Sequence, residues 1–219
     1  MLTAILFDLD GTLVNTDPLH YQTWLEVLRE YEIEIDQEFY KARISGRLNP
    51  LIVQDLLPEL SFEAGKQLAD YKEAKFREIG LSLTPLPGLL DLLTWIDNHT
   101  LKKALVTNAP RENVNFLLEV LKLTNYFDEV ILAEETTAGK PDPAPYKLAL
   151  NQLDISVKET IAFEDSVSGI QSAVRAGIYT IGISSTHEPE ILLKAGAEMV
   201  IPDFTEQSMW QILDYFMTN

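Results

Sequence analysis

In the stretch Ile5–Leu13, ILFDLDGTL, an apolar run ends in two aspartates one residue apart, and a glycine follows. Ile5, Leu6 and Phe7 are too few and too β-prone for a helix and read as a buried strand. On a pleated backbone Asp8 and Asp10 point to the same side, and Gly11 permits a turn closed to most residues. Like charges this close repel each other, so the pair calls for a cation or an unusual proton balance. A carboxylate at a strand tip can bind a metal, act as a base or attack phosphorus.

These groups need a frame, and the rest of the chain supplies one. From Gly88 onward strand and helix alternate. LLDLLTWIDN, ENVNFLLEVL, APYKLALNQL and SGIQSAVRAG read as helices, and KKALVT, EVILA, TIAFED, YTIGI and AEMVI as strands, before a last helix. Such alternation with apolar strands predicts a parallel sheet covered on both faces. Between about Asn15 and Leu83 nothing reads as a buried strand. PLHYQTWLEVLREY sets Leu19, Thr23, Val27 and Tyr31 four residues apart, and three further helical stretches follow. TPLPG, Thr84–Gly88, is the clearest linker. Residues 15–84 are therefore expected to form an all-helical insertion in an α/β core made of residues 1–14 and 85–219. The two connections, near Asn15–Thr16 and Thr84–Pro85, are its expected hinges.

In such a sheet ligands gather beyond the carboxyl ends of the strands. Those ends carry Asp8 and Asp10, then Thr107 and Asn108, then Glu164 and Asp165, with Lys140 in the loop AGKPDP. Singly, each has an ordinary explanation as a solvated turn, a helix cap or a surface lysine. Together they form a coherent set. Asp8 and Asp165 offer the oxygen ligands that Mg²⁺ prefers. Asp10 can protonate a leaving oxygen and later deprotonate water. Lys140, Thr107 and Asn108 can meet the charge on phosphoryl oxygens.

This set resembles the haloacid dehalogenase superfamily of phosphotransferases: DLDGTL is similar to its first motif, VTN to the second, GKPDP to the third and FEDSVSG to the fourth. The resemblance implies a Rossmann-like core, a small helical cap after the first strand and dependence on Mg²⁺. It also implies Asp8 as the phosphorylated nucleophile, Asp10 as general acid/base, Thr107 and Lys140 on phosphate, and Asp165 as metal ligand. Glu164 would support the metal through water, and the Asp10 backbone carbonyl would coordinate it.

Within the superfamily, DPLHYQ, VTNAPRENV and FEDSVSGI resemble broad-specificity sugar-phosphate phosphatases, and hydrolysis is the first expectation. The alternative is a β-phosphoglucomutase, because Thr16, His20 and Trp24 fall at intervals of four and Lys72 lies near where such a mutase carries a cap lysine. Arg47 fits that pattern poorly, since it directly follows Gly46. His20, Arg47 and Lys72 are the candidate substrate-contacting residues of the cap. A receiver-type phospho-aspartate switch is a third reading, disfavoured by chain length and by the insertion.

Composition bounds the partners. With 17 basic against 34 acidic residues the net charge is −17, a field that repels nucleic acid and anionic membranes. A phosphorylated small molecule would be repelled too, so its site must be made locally. The absence of cysteine excludes disulfides and thiolate chemistry. Met1 leads straight into the first strand, so no signal peptide is expected, and no apolar run approaches the ~20 residues of a membrane span. A cytoplasmic monomer acting on a small phosphorylated substrate is the expectation.

Overall fold

The computed structural model describes residues 1–218, which fall into two compact units, residues 1–15 with 84–218, and residues 16–83. The first unit begins with β1 (Ala4–Phe7), every residue of which is buried. The chain then enters the second unit, built from α1 (Asp17–Arg29), α2 (Gln37–Arg43), α3 (Asn49–Leu56) and α4 (Phe62–Ile79). It returns to the first unit as α5 (Leu89–Asn98), β2 (Lys102–Thr107), α6 (Arg111–Val120), β3 (Glu129–Leu132), α7 (Ala144–Gln152) and β4 (Thr160–Glu164). α8 (Val167–Arg175), β5 (Tyr179–Ile183), α9 (Pro189–Ala195), β6 (Met199–Ile201) and α10 (Gln207–Thr218) complete it.

The six strands form one parallel sheet in the order β3-β2-β1-β4-β5-β6. β1 therefore lies at the centre, and the order reverses beside it, between β1 and β4. In doubly wound sheets a crevice opens at such a switch point, beyond the carboxyl ends of the strands. One face of the sheet packs Leu6, Val106, Ile131 and Ala162 against Tyr146 and Ala149 of α7 and Ala173 of α8. Elsewhere in this unit Phe7 stacks on Phe163, with centroids 5.4 Å apart, and Phe204 meets both rings edge-on.

In the helical unit, Asp36 caps α2 by accepting from the Phe39 N–H at 2.7 Å, and Ser61 caps α4 through the Ala64 N–H. Trp24, Val27 and Leu28 of α1 share a core with Tyr40, Ile52, Val53 and Leu68. Of the stripe read from the spacing, Thr23 and Val27 are buried, whereas Tyr31 lies beyond the end of α1 and is exposed. Among the described residues α9 is the one α-helix absent from the sequence reading. It spans only seven residues and buries a single leucine, Leu192, so it has almost no amphipathic period to detect. Its boundary signals are nevertheless present, with Pro189 in the first turn and Gly196 in the left-handed region just beyond its end.

Phe163 is fully buried between two aromatic partners. Replacing it with alanine should lower unfolding stability by about 3–5 kcal/mol, read as a shift in the urea midpoint. A loss below about 1 kcal/mol would show that the aromatic cluster is not a structural centre.

Candidate active site

β1 ends at Phe7, so Asp8 is the first residue beyond the sheet's central strand. It is anchored by its N–H donating to the Phe163 carbonyl at 3.0 Å. The chain turns at once. Gly11 donates to the Val14 carbonyl at 2.7 Å and sits at φ +82, and a Cβ at this position would fall on the Asp165 carboxylate. Glycine is required here by both conformation and space. β4 ends at Glu164 and delivers Asp165 next to it. Ser166 then accepts from the Gly169 N–H at 3.0 Å and starts α8. Gly169 is needed for a second reason, because a Cβ there would overlap the Glu164 carboxylate.

Lys140 reaches into the middle of this group. Its ammonium donates to Asp8 Oδ1 at 2.6 Å, Glu164 Oε1 at 2.5 Å and the Val106 carbonyl at 2.7 Å, and it lies 5.3 Å from the centre of the Tyr146 ring. The Tyr146 hydroxyl also donates to Glu164 Oε1, at 2.6 Å. Asn108 clamps the Lys140 backbone, accepting from its N–H at 3.0 Å and donating to its carbonyl at 3.3 Å. Thr107 is buried and accepts from the Ala109 N–H at 2.9 Å, which leaves its hydroxyl proton to be given to another acceptor.

Asp8, Glu164 and Asp165 are all buried and can each place one carboxylate oxygen within 4.8 Å of the others. Burial and the neighbouring Glu164 and Asp10 charges raise the Asp8 carboxyl to about 7, against the opposing pull of Lys140. Burial, with Asp8 and Glu164 nearby, pushes Asp165 well above the ordinary carboxylate range, against the Thr186 hydrogen bond. Lys140 is held in its charged form by Asp8 and Glu164, although burial alone would favour the neutral amine. Three carboxylates thus face one ammonium. Among the described residues, Glu164 Oε2 is buried without a hydrogen-bond partner, and such an orphan is costly. An all-oxygen, acidic, under-neutralised cluster fits a hard divalent cation such as Mg²⁺.

The helical unit holds the other three candidates. Lys72 is buried, and its ammonium lies 2.6 Å from His20 Nδ1 and 2.9 Å from Glu73 Oε1. An ammonium only donates, so Nδ1 accepts and the imidazole proton sits on Nε2. The His20 ring stacks on Phe76 at 4.1 Å, and Asn49 donates to Glu73 Oε1 at 2.5 Å. Arg47 stands apart from this group, paired with Asp55 at 3.0 Å near the surface of the helical unit, where Arg43 binds the same oxygen.

Sequence reasoning passed over Tyr146, Glu73, Asn49 and Thr186. Tyr146 reads as one more apolar position of a helix, and Glu73 as one charge of a solvated face. Thr186 carried a usable signal, since it lies just beyond the carboxyl end of β5 in the loop SSTHE.

The site therefore defines a class: an α/β enzyme whose polar groups converge at the switch point of a doubly wound parallel sheet. The chain belongs to the haloacid dehalogenase-like hydrolases, whose family model matches residues 5–183. It is 30% identical to a phosphorylated carbohydrates phosphatase of Thermotoga maritima, over 91% of this chain and 94% of that protein. It is also 27% identical to the β-phosphoglucomutase of Bacillus subtilis, over 91% and 89% of the two chains. A crystal structure of a family IA, variant 3 hydrolase from Entamoeba histolytica superposes with a TM-score of 0.89 at 30% identity, covering 99% of this chain and 100% of that one.

Burial alone would raise the Glu73 carboxyl, but the Lys72 charge, the nearby His20 and the Asn49 hydrogen bond together outweigh it and bring it down to about 2. Its contribution to stability is thus complete above pH ~4.5 and disappears as pH falls through about 2. Glu73→Gln should lower the melting temperature near neutral pH by the equivalent of about 3 kcal/mol. That difference from the parent should shrink steadily between pH 4.5 and 2. A gap that stays constant across the window would mean that Glu73 is not ionised against Lys72.

Proposed function

We propose that this chain is a Mg²⁺-dependent phosphatase of small phosphorylated metabolites, sugar phosphates foremost, working through a phosphorylated Asp8. The observation that carries the reading is the buried Asp8–Lys140–Glu164–Asp165 cluster at the sheet's switch point. The similarity to a phosphatase of phosphorylated carbohydrates supports it.

Asp8, Asp165 and the Asp10 backbone carbonyl would hold the cation, with Glu164 acting through water. When bound, Mg²⁺ supplies positive charge against the carboxylates and the phosphate. The chain's own groups do the rest. Lys140 favours the ionised Asp8 that attacks phosphorus. As the bond from the Asp8 oxygen to phosphorus forms, the ester P–O bond breaks, and Asp10 gives its proton to the departing oxygen. Water then attacks the phosphorus of the acyl phosphate, losing a proton to Asp10, and inorganic phosphate and free Asp8 are restored. Thr107, Lys140 and the amide hydrogen that Asn108 retains would hold the phosphoryl oxygens. His20 and Lys72 are the helical unit's candidates for substrate recognition. The Arg47 guanidinium is committed to Asp55 and carries no role in this reading.

The second reading is a β-phosphoglucomutase. It is favoured by the similarity to that enzyme and by the Lys72–His20 contact, which joins two residues of the mutase-like pattern. Among the described residues no helix is long and apolar enough to cross a membrane, and a cytoplasmic monomer is the proposed form.

Phosphate release from a panel of sugar phosphates, with and without Mg²⁺, tests the reading. Conversion of β-glucose 1-phosphate to glucose 6-phosphate without release would favour the mutase instead. Asp8→Asn, nearly isosteric, should abolish turnover and leave the melting temperature within a few degrees; retained turnover would remove Asp8 as nucleophile. Asp10→Asn should cut turnover by roughly two to four orders of magnitude. If it altered only substrate affinity, the acid/base assignment would fail.

A further inference from the structure

The loop after β5 reaches both acidic loops of the site. Thr186 is buried, and its Oγ1 lies 2.5 Å from Asp165 Oδ2 and 3.1 Å from the Asp165 carbonyl oxygen. His187 Nδ1 is 2.9 Å from the same Oγ1. A hydroxyl has one proton to give, and Oδ2 is the nearer of its two oxygen acceptors. The threonine proton therefore goes to Oδ2, and His187 donates to Oγ1 from Nδ1–H. One residue earlier, Ser185 Oγ donates to the Gly11 carbonyl at 2.5 Å. This holds the turn whose missing Cβ makes room for the Asp165 carboxylate, and that same Cβ would come within 3.0 Å of Thr186 Cγ2.

We infer that Thr186 is a positioning residue of the cation site: its hydroxyl, oriented by His187, fixes Asp165 through Oδ2 and presents the other carboxylate oxygen to Mg²⁺. The inference rests on the reading of Asp165 as a Mg²⁺ ligand. A carboxylate free to rotate must lose that freedom each time it binds a cation, whereas one already held by a hydrogen bond has lost it in advance. Partners of metal ligands typically matter by ~10–100-fold in affinity. Ser185 works on the same assembly from the other side by fixing the chain direction just after Asp10. No other loop among the described residues is shown bonding both Asp165 and the turn at Gly11.

The test is calorimetric titration of the metal-stripped full chain with Mg²⁺, for the parent and for Thr186→Val, Thr186→Ala and Thr186→Ser. Valine and alanine should weaken Mg²⁺ binding by ~10–100-fold, while the metal-free variants stay folded with a melting temperature only a few degrees lower, the cost of the lost buried hydrogen bonds. Serine, which keeps the hydroxyl, should restore affinity to within a few-fold. Parent-like affinity in the valine and alanine variants would overturn the inference, as would a serine variant as weak as alanine. If both hydroxyl-free variants failed to fold without Mg²⁺, the hydroxyl would belong to the fold and the inference would fall. A parent that takes up no Mg²⁺ would instead bring down the cation reading itself.

Discussion

Three carboxylates share a buried space with one ammonium, and much of the molecule is arranged to make that tolerable. Two like charges about 4 Å apart at an effective dielectric near 20 cost about 4 kcal/mol, so Asp8, Glu164 and Asp165 would not gather of their own accord. Lys140 offsets part of this repulsion by meeting Asp8 and Glu164 together. Tyr146 contributes a further donor to Glu164, and the hydroxyl of Thr186 does the same for Asp165. The remainder is imposed by the apolar sheet, in which β1 and β4, buried along their whole length, fix where Asp8 and Asp165 emerge. A strained arrangement persists only where its surroundings over-determine it, and the hydrophobic core provides that determination.

The helical unit solves a smaller version of the same problem. It too buries a lysine, Lys72, against a carboxylate and an imidazole nitrogen. The balance differs, however. There one ammonium faces one carboxylate, so Glu73 settles far below its usual range, whereas Asp8 is lifted towards neutrality. The contrast separates a paired buried charge from a group left poised. Under-compensated carboxylates suit a place where positive charge arrives with a ligand, and a compensated pair suits a fixed scaffold for a side chain such as His20.

Much of this could be read from the sequence because position does the work. Thr107 and Glu164 close apolar strands, Asp8 and Asp165 come directly after such strands and Asp10 two residues after Asp8, and strand ends in a parallel sheet converge whatever the details of packing. The helical insertion was legible because four amphipathic stretches occur in succession with no strand between them. Tyr146 and Glu73 were not legible, since each sits in an ordinary helical pattern and acquires a polar partner only through tertiary contact. Gly169 belongs with them: nothing in VSGIQ shows that a carboxylate lies against its α-carbon. α9 was hidden for a different reason, having too few buried residues to give a period.

The placement of β1 also bears on how the protein comes into being. Ala4 pairs with Lys102 on one side and with Thr160 on the other, so the strand leading to Asp8 gains one neighbour only after the helical segment has been made and the second only once Thr160 exists. Contacts so distant in sequence are slow to form, because chain closure must be achieved before pairing rewards it. During synthesis the run Ala4–Phe7 waits unpaired while the helical segment is made and can fold on local contacts. The reactive centre is therefore among the last regions to assemble. A ribosome-bound fragment ending before β4 would hold an exposed apolar strand, open to premature association, and no catalytic apparatus.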